Sequence, residues 1–360
     1  MQKILVSGAG GFVGARVMHL WRGQAELTIF PRGFLAAATE EEVIRFAAQM
    51  QPDIILHLAA LSDTGYCQQH PEESRRANVE LPCWMAKAAR AAGAKLVAFS
   101  SDQVYAGVTQ DGPLAETLPL SPANVYGQHK LEAEQRALEL LPDAVLLRVP
   151  WMYDFPGNDL PIRGNLPLNL LRAAQDGTPV QFSRNDWRGV SFVREVIENL
   201  RSALALPGGV YNFGSGNDAN MAETAKQFAG RMGITVKIEP ADWHRDLLMD
   251  GKHGAFCLTE PMAFAQDKRM ELLHRQQRLG DLMQGQLARK QQRFGALSAA
   301  LDAMSPLKVL GRGYAVARNE AGQVLKSSGE THIGERIHVT LGSGGLTAVV
   351  DHIEEARNGG

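Results

Sequence analysis

Up to about residue 250 the chain alternates short, almost wholly apolar runs with longer segments whose apolar positions recur every three to four residues. The apolar runs are KILVSG, ELTIF, DIILHLAA, KLVAFSS and AVLLRVP. Between them lie GARVMHLW, TEEEVIRFAAQM with Thr39 placed to cap it, ANVELPCWMAKAARAAGA and NVYGQHKLEAEQRALEL. Strands apolar at consecutive positions are buried on both faces, and their alternation with helices predicts a parallel sheet covered on both sides. The expected class is therefore α/β, a Rossmann-type doubly wound sheet. GGVYNFGS, residues 208–215, predicts one more short strand.

Beyond about residue 255 this alternation stops. Residues 266–304 predict one long amphipathic helix. Leu273, Met283, Leu287, Phe294, Leu297, Leu301 and Met304 share a single a/d heptad register, which Gln276, Gly280 and Lys290 interrupt, so the pattern is that of an imperfect coiled coil. Two hairpins should follow. One lies in SPLKVLGRGYAVARNEAGQVLKSS with its turn at NEAG, the other in ERIHVTLGSGGLTAVVDHIEE around GSGG.

Composition narrows the class without changing it. The 360 residues are 45% hydrophobic and 21% charged with net charge −2, a balance with no global attraction to nucleic acid or membranes. No apolar run is long enough to span a bilayer, and MQKILVSGAG reaches a glycine turn before a signal-type run can form. Cys67, Cys83 and Cys257 are irregularly spaced and read as reduced thiols. The expectation is a cytoplasmic protein. The ten histidines show no metal-ligand spacing, so no metal is expected. His57 and His129, near the site described next, read as packed or solvent-facing residues.

The chemistry begins at the first turn. In KILVSGAGGFVGARV an apolar strand runs into Gly8, Gly11 and Gly14 and then a helix. Glycines there let the backbone turn tightly and approach a pyrophosphate seated on the helix N-terminus, so Gly8, Gly11, Phe12, Val13 and Gly14 are candidate dinucleotide contacts. A ribose-binding acid is absent from TIFPRG after the second strand. Arg32 stands there instead, either meeting a 2′-phosphate or lying free in a solvated loop, and NADPH and NADH both remain open. Ala59 and Ala60 in HLAA are small enough for a backbone lying against a ribose, and Asn78 opens the next helical stretch. Ser101 closes the KLVAFSS strand, and strand carboxyl ends are where ligands bind in such sheets. Tyr126 and Lys130 follow about 25 residues later, four apart on a helix. A serine, a tyrosine and a lysine beside a nicotinamide form a working set for hydride chemistry. Lysine is expected to lower the tyrosine pKa, tyrosine to move the proton, and serine to hold the carbonyl oxygen.

These motifs (GAGGFVG, HLAALSD, SSDQVY, LSPANVYGQHKLEAE and LLRVPWMYD) resemble the extended short-chain dehydrogenase/reductases over residues 1 to about 255. More narrowly they resemble the dTDP-4-dehydrorhamnose reductase, or sugar nucleotide-binding, branch. The resemblance implies an NAD(P)-binding domain over 1–150 and a small interleaved substrate lobe over 151–255. It implies Ser101, Tyr126 and Lys130 as catalytic residues. It also implies a nucleotide-sugar substrate near Asp102, Gln103, Trp151 and Arg188. Trp151 also fits a hinge-packing role, and Arg188 an ion pair. Chains with the same core motifs include regulatory subunits such as the β subunit of methionine adenosyltransferase, and many relatives form homo-oligomers through helices.

The last quarter resembles a different family. LDAMSPLKVLGRGYAVARNEAGQVL and GERIHVTLGSGGLTAVV are similar to the C-terminal end of the exonuclease VII large subunit, here a helix over 266–304 and a small β unit over 305–355. The resemblance implies a small helical partner, the exonuclease VII small subunit, on the 266–304 helix. The nuclease domains of that family have no counterpart in this chain.

Overall fold

The computed structural model describes residues 1–157, 160–250, 278, 280, 283–300 and 310–354. It divides into two compact units, Met1–Arg269 and Met270–Gly360. In the first unit the strands β1 (Lys3–Ser7), β2 (Glu26–Ile29), β3 (Ile54–His57), β4 (Lys95–Ser101), β5 (Val145–Val149), β6 (Trp151–Tyr153), β7 (Val180–Arg188), β8 (Val190–Phe192), β9 (Gly209–Asn212) and β10 (Ile238–Leu247) alternate with helices. The longer helices are α1 (Phe12–Leu20), α2 (Glu40–Met50), α3 (Leu81–Ala92), α4 (Val125–Leu140), α5 (Leu166–Asp176), α6 (Val193–Ala203) and α7 (Met221–Met232).

Six strands form one parallel sheet in the order β2-β1-β3-β4-β5-β9. The side-chain period of two sends successive residues of each strand to opposite faces. Ile4, Val6, Ile54, Leu56, Val145 and Leu147 join α1 and α6 in one core. Leu5, Ile55, Leu96, Ala98 and Leu146 join α2, α3 and α4 in the other. Both faces are covered, which is why these strands carry no polar alternation. The winding direction reverses between β1 and β3, and ligands of doubly wound sheets sit in the crevice at such a point.

The smaller lobe is built from two parallel pairs, β6 with β8 and β7 with β10, packed with α5 and α7 around Leu166, Leu170, Met221 and Ala225. The strand expected over 208–215 is β9, at the edge of the main sheet.

One local reading needs correction. ANVELPCWMAKAARAAGA is not the start of a helix. The helical path begins at Pro71–Arg75, widens into a π-turn at Arg76–Glu80 and continues as α3. Pro82 explains the widening: in regular helix its ring would press on a carbonyl one turn back, and the extra residue relieves that contact.

In the second unit β11 (Val316–Arg318), β12 (Arg336–Thr340) and β13 (Gly345–Val349) make an antiparallel sheet. The hairpin expected around GSGG is β12–β13. The turn expected at NEAG is present: the Asn319 N–H donates to the Gln323 carbonyl at 3.0 Å and the Leu325 N–H to the Ala317 carbonyl at 2.9 Å, with Arg318 bridged to Val324. Residues 283–300 are helical. Their heptad positions Met283, Leu287, Phe294 and Leu297 are exposed rather than buried against a second helix. Leu273, Leu301, Met304 and Cys257 lie outside the described residues. Among the described residues no helix is long and apolar enough to cross a membrane.

Candidate active site at the carboxyl ends of the parallel strands

The glycine turn after β1 is a tight backbone crossing. Gly8 has φ +73°, and a Cβ there would stand 2.6 Å from the Ala59 nitrogen. A Cβ at Gly14 would stand 2.1 Å from the Gly8 oxygen. Gly10, by contrast, faces open space. Gly11 caps α1 without any side-chain hydrogen bond, so the first-turn N–H groups at Phe12 and Val13 face outward at the positive end of the helix. An uncapped helix start over open ground at the strand-order reversal fits a dinucleotide diphosphate, and the sequence-predicted residues Gly8, Gly11, Phe12, Val13, Gly14 and Ala59 all meet there. Ala60 follows at the exposed lip. Arg32 is exposed in the loop after β2, where Gly33 supplies a left-handed turn.

Ser101 ends β4, Tyr126 sits in the first turn of α4, and Lys130 one turn later. All three are buried. Asn124 caps α4 by accepting from the Gly127 N–H at 2.7 Å, which fixes where the tyrosine starts. Gly127 packs directly on Gln103, since a Cβ there would stand 2.3 Å from the Gln103 oxygen. The Lys130 ammonium donates to the Phe99 carbonyl at 2.8 Å and lies 5.9 Å from the centre of the Tyr126 ring. Burial lowers the Lys130 pKa to about 8, and the Glu134 carboxylate opposes that fall.

Burial dominates at the tyrosine. Burial pushes its pKa above the ordinary value. A hydrogen bond with Ser101 pulls it down, Asp102 pushes it up, and Arg163 pulls it down. The phenol is thus held protonated.

Asp102, 1% exposed, accepts from Ser101 Oγ at 3.2 Å and pairs with Arg188 at 2.6 Å. The Arg188 guanidinium lies 5.6 Å from the Trp151 ring centre, and its Nε is a buried N–H with no partner among the described residues. Arg188 therefore does form an ion pair, as its alternative reading allowed, but inside the site rather than on the surface. Gln103 Oε1 accepts from Asn124 at 3.2 Å. Asn78 is fully buried in the π-turn, and its amide clasps both the N–H and the carbonyl of Leu61, below the loop that follows β3.

His57 is buried, as a packed residue should be. Ser7 Oγ accepts from the Leu58 and Ala59 N–H groups, so its own proton goes to His57 Nδ1 at 2.7 Å, and the imidazole carries its proton on Nε2. Burial and the Lys130 charge lower its pKa to about 3, which keeps it neutral. His129 Nδ1 bonds Ser74.

Sequence reasoning missed the buried charges that brace the site. Arg16 pairs with Asp154 at 2.6 Å and also donates to the Phe12 and Pro161 carbonyls. Glu134 receives the Arg148 fork and, at 2.5 Å, the Ser100 hydroxyl. Arg148 also donates to the Tyr105 hydroxyl, which in turn donates to Asn212. Ser100, Arg148 and Asn212 stand in one row across β4, β5 and β9. The one sequence hint was a charged residue inside the apolar run AVLLRVP. Among the described residues no group of His, Cys, Asp and Glu is arranged to hold a metal ion.

Known proteins bear on this geometry. A family model described as the RmlD substrate binding domain matches residues 1–245, and one described as the exonuclease VII large subunit matches residues 224–349. The dTDP-4-dehydrorhamnose reductase of Mycolicibacterium smegmatis is 31% identical over 153 residues, covering 42% of this chain and 46% of the relative. The methionine adenosyltransferase 2 subunit beta of Bos taurus is 32% identical over 161 residues, covering 42% of this chain and 47% of the relative. The chain thus spans under half the length of these two relatives. The crystal structure of a Bacillus anthracis dTDP-4-dehydrorhamnose reductase in complex with NADP superposes with TM-score 0.63 at 21% identity, over 70% of this chain and 91% of that one, a likeness of fold. With 245 of its residues matched to one family model across sheet, site and lobe, the chain belongs to the RmlD substrate binding domain family.

Proposed function

We propose that the first unit is an NAD(P)H-dependent reductase of a 4-keto nucleotide sugar, working through Ser101, Tyr126 and Lys130. The observation that carries this reading is the convergence of a buried tyrosine, a buried serine hydroxyl and a buried ammonium one helical turn from the tyrosine. The α1 N-terminus with Phe12 and Val13 would hold the dinucleotide diphosphate, Ala59 and Lys130 the ribose side. When bound, the cofactor supplies the hydride. Tyr126 gives its phenol proton to the carbonyl oxygen as charge develops there, and Ser101 donates a second hydrogen bond to the same oxygen. The raised tyrosine pKa suits this direction, because the acid is loaded at neutral pH. Lys130, charged below about pH 8, stabilises the phenolate that forms. Trp151 offers an apolar face to the sugar, and the unpartnered Arg188 Nε a donor beside it.

NADPH consumption by the purified chain with dTDP-4-dehydrorhamnose, beside an NADH control, tests this. Substrate-dependent oxidation that disappears in Tyr126→Phe supports it, and retained turnover in that variant sinks it. A second reading is favoured by the match to the methionine adenosyltransferase subunit: a dinucleotide-binding regulatory subunit, expected to bind cofactor and reduce no keto sugar. The tail reads as an appended module fused behind the reductase unit. Its 266–304 helix would receive an exonuclease VII small subunit, and co-purification that is lost when residues beyond about 262 are removed tests that.

A further inference from the structure

Between β6 and α5 the described residues are tied down at several points. Asp154 is locked to Arg16, the Pro161 carbonyl accepts from Arg16 at 2.8 Å, and Asn165 donates to the Asp154 and Arg163 carbonyls. The backbone that carries Arg163 is therefore fixed on the glycine-turn side of the site, while the Arg163 side chain is exposed.

Three observations place its guanidinium. Nη1 donates to Ser62 Oγ at 2.5 Å, on the loop after β3. The guanidinium carbon lies 5.4 Å from the ring centre of Phe12, the first residue of α1. Its charge is felt at the Tyr126 phenol. It stands between the anion-receiving end of α1 and the proposed proton donor. Among the described residues Arg163 makes no ion pair. Arg16, which also lies against the Phe12 ring at 4.2 Å, is spent on Asp154.

A guanidinium held by a neutral hydroxyl and an aromatic ring, beside an uncapped helix start and with no ion pair among the described residues, is placed to take an anion. We infer that Arg163 is a diphosphate clamp, closing from the lobe side onto a diphosphate that α1 receives from below. This rests on the dinucleotide and nucleotide-sugar reading of the site and adds a residue to it. The planar fork matches two phosphate oxygens at once, which an ammonium does not. The diphosphate belongs either to the dinucleotide or to the nucleotide sugar, and both have the chemistry the clamp takes.

The test is equilibrium binding to the full chain, read by NADPH fluorescence and, separately, by calorimetric titration of dTDP, for the wild type, Arg163→Gln and Arg163→Lys. The expected result is a Kd about ten- to a hundredfold weaker in Arg163→Gln, the range for losing charge-assisted hydrogen bonds. Arg163→Lys should fall between, and added salt should weaken the wild type more than Arg163→Gln. Weakening confined to NADPH assigns the clamp to the cofactor, and weakening confined to dTDP assigns it to the sugar nucleotide. Unchanged affinity for both in Arg163→Gln, with an unchanged melting temperature, overturns the clamp, as does a wild type that binds neither. A wild type that binds NADPH but never oxidises it, with the loss still present in Arg163→Gln, removes the reductase reading and leaves the clamp standing.

Discussion

Leu5, Ile55, Leu96 and Leu147 of the first unit have no exposed surface, while in the tail Phe294 is 75% exposed, Ile333 67% and Tyr314 66%. The local patterns are not so different. Both regions have apolar runs closed by glycine turns, and both have amphipathic helical stretches. What differs is the number of layers. The six-stranded sheet is covered by helices on each face, so the residues of its inner strands are almost all buried. The three short strands of the tail form one thin sheet with residues exposed on both sides. Periodicity specifies an element, and burial needs a second layer to pack on it. Charge follows the same division. The first unit buries Arg16 with Asp154 and Arg148 with Glu134, whereas the described tail pair, His332 with Glu335, leaves its histidine largely in water.

The strongest way to press this contrast is at the reaction centre. Tyr126→Phe should lower turnover by about 10²–10⁴, the scale of positioned acid catalysis, with NADPH affinity nearly unchanged in a fluorescence titration. Next comes burial. Leu96→Ala should cost about 2–5 kcal/mol in urea unfolding, whereas Phe294→Ala should stay within about 0.5 kcal/mol. Equal costs would mean that the tail helix packs as the sheet does. Glu134→Ala strands a buried Arg148 and should cost about 3–5 kcal/mol.

A smaller effect concerns pH. The Lys130 charge is present below about pH 8 and lost above it, so the rate of keto-sugar reduction should decline through that range. Glu134 raises the lysine pKa, so in Glu134→Gln the decline should begin at lower pH. A profile that does not move would remove the link between the two. The smallest effect is expected from deleting residues beyond about 262, which should leave keto-sugar turnover within about twofold of the full chain if the tail is an appendage. That expectation treats the two regions as independent sites.

The parts legible in the sequence were the local ones. Gly8 to Gly14 span seven residues, and Tyr126 and Lys130 one turn, so spacing alone brings each set together. The order of strands and helices up to β5, and the strand β9, followed from the apolar runs, while the lobe strands β6 to β8 carried no such run. The illegible parts join distant positions. Arg16 meets Asp154 across 138 residues, and Arg188 meets Asp102 across 86. No window of sequence contains both partners. Ser101, Asp102 and Arg163, which shift the Tyr126 pKa, likewise come from separate segments, and burial outweighs them. The heptad register of the tail gave the helix at 283–300 but said nothing about what would cover its apolar side.

The π-turn at Arg76–Glu80 makes chain length a constrained quantity. A helix advances about 100° per residue, so removing one residue from this turn would rotate everything upstream by that angle relative to α3. Asn78 would swing away from Leu61, and Ser74 away from His129, while the hydrogen-bonded path of the helix became more regular. The wide turn thus acts as a phase setting between two stretches of ordinary helix. Single-residue deletions here should disable the site in a chain that still folds, and re-inserting any small residue at a neighbouring position should restore it.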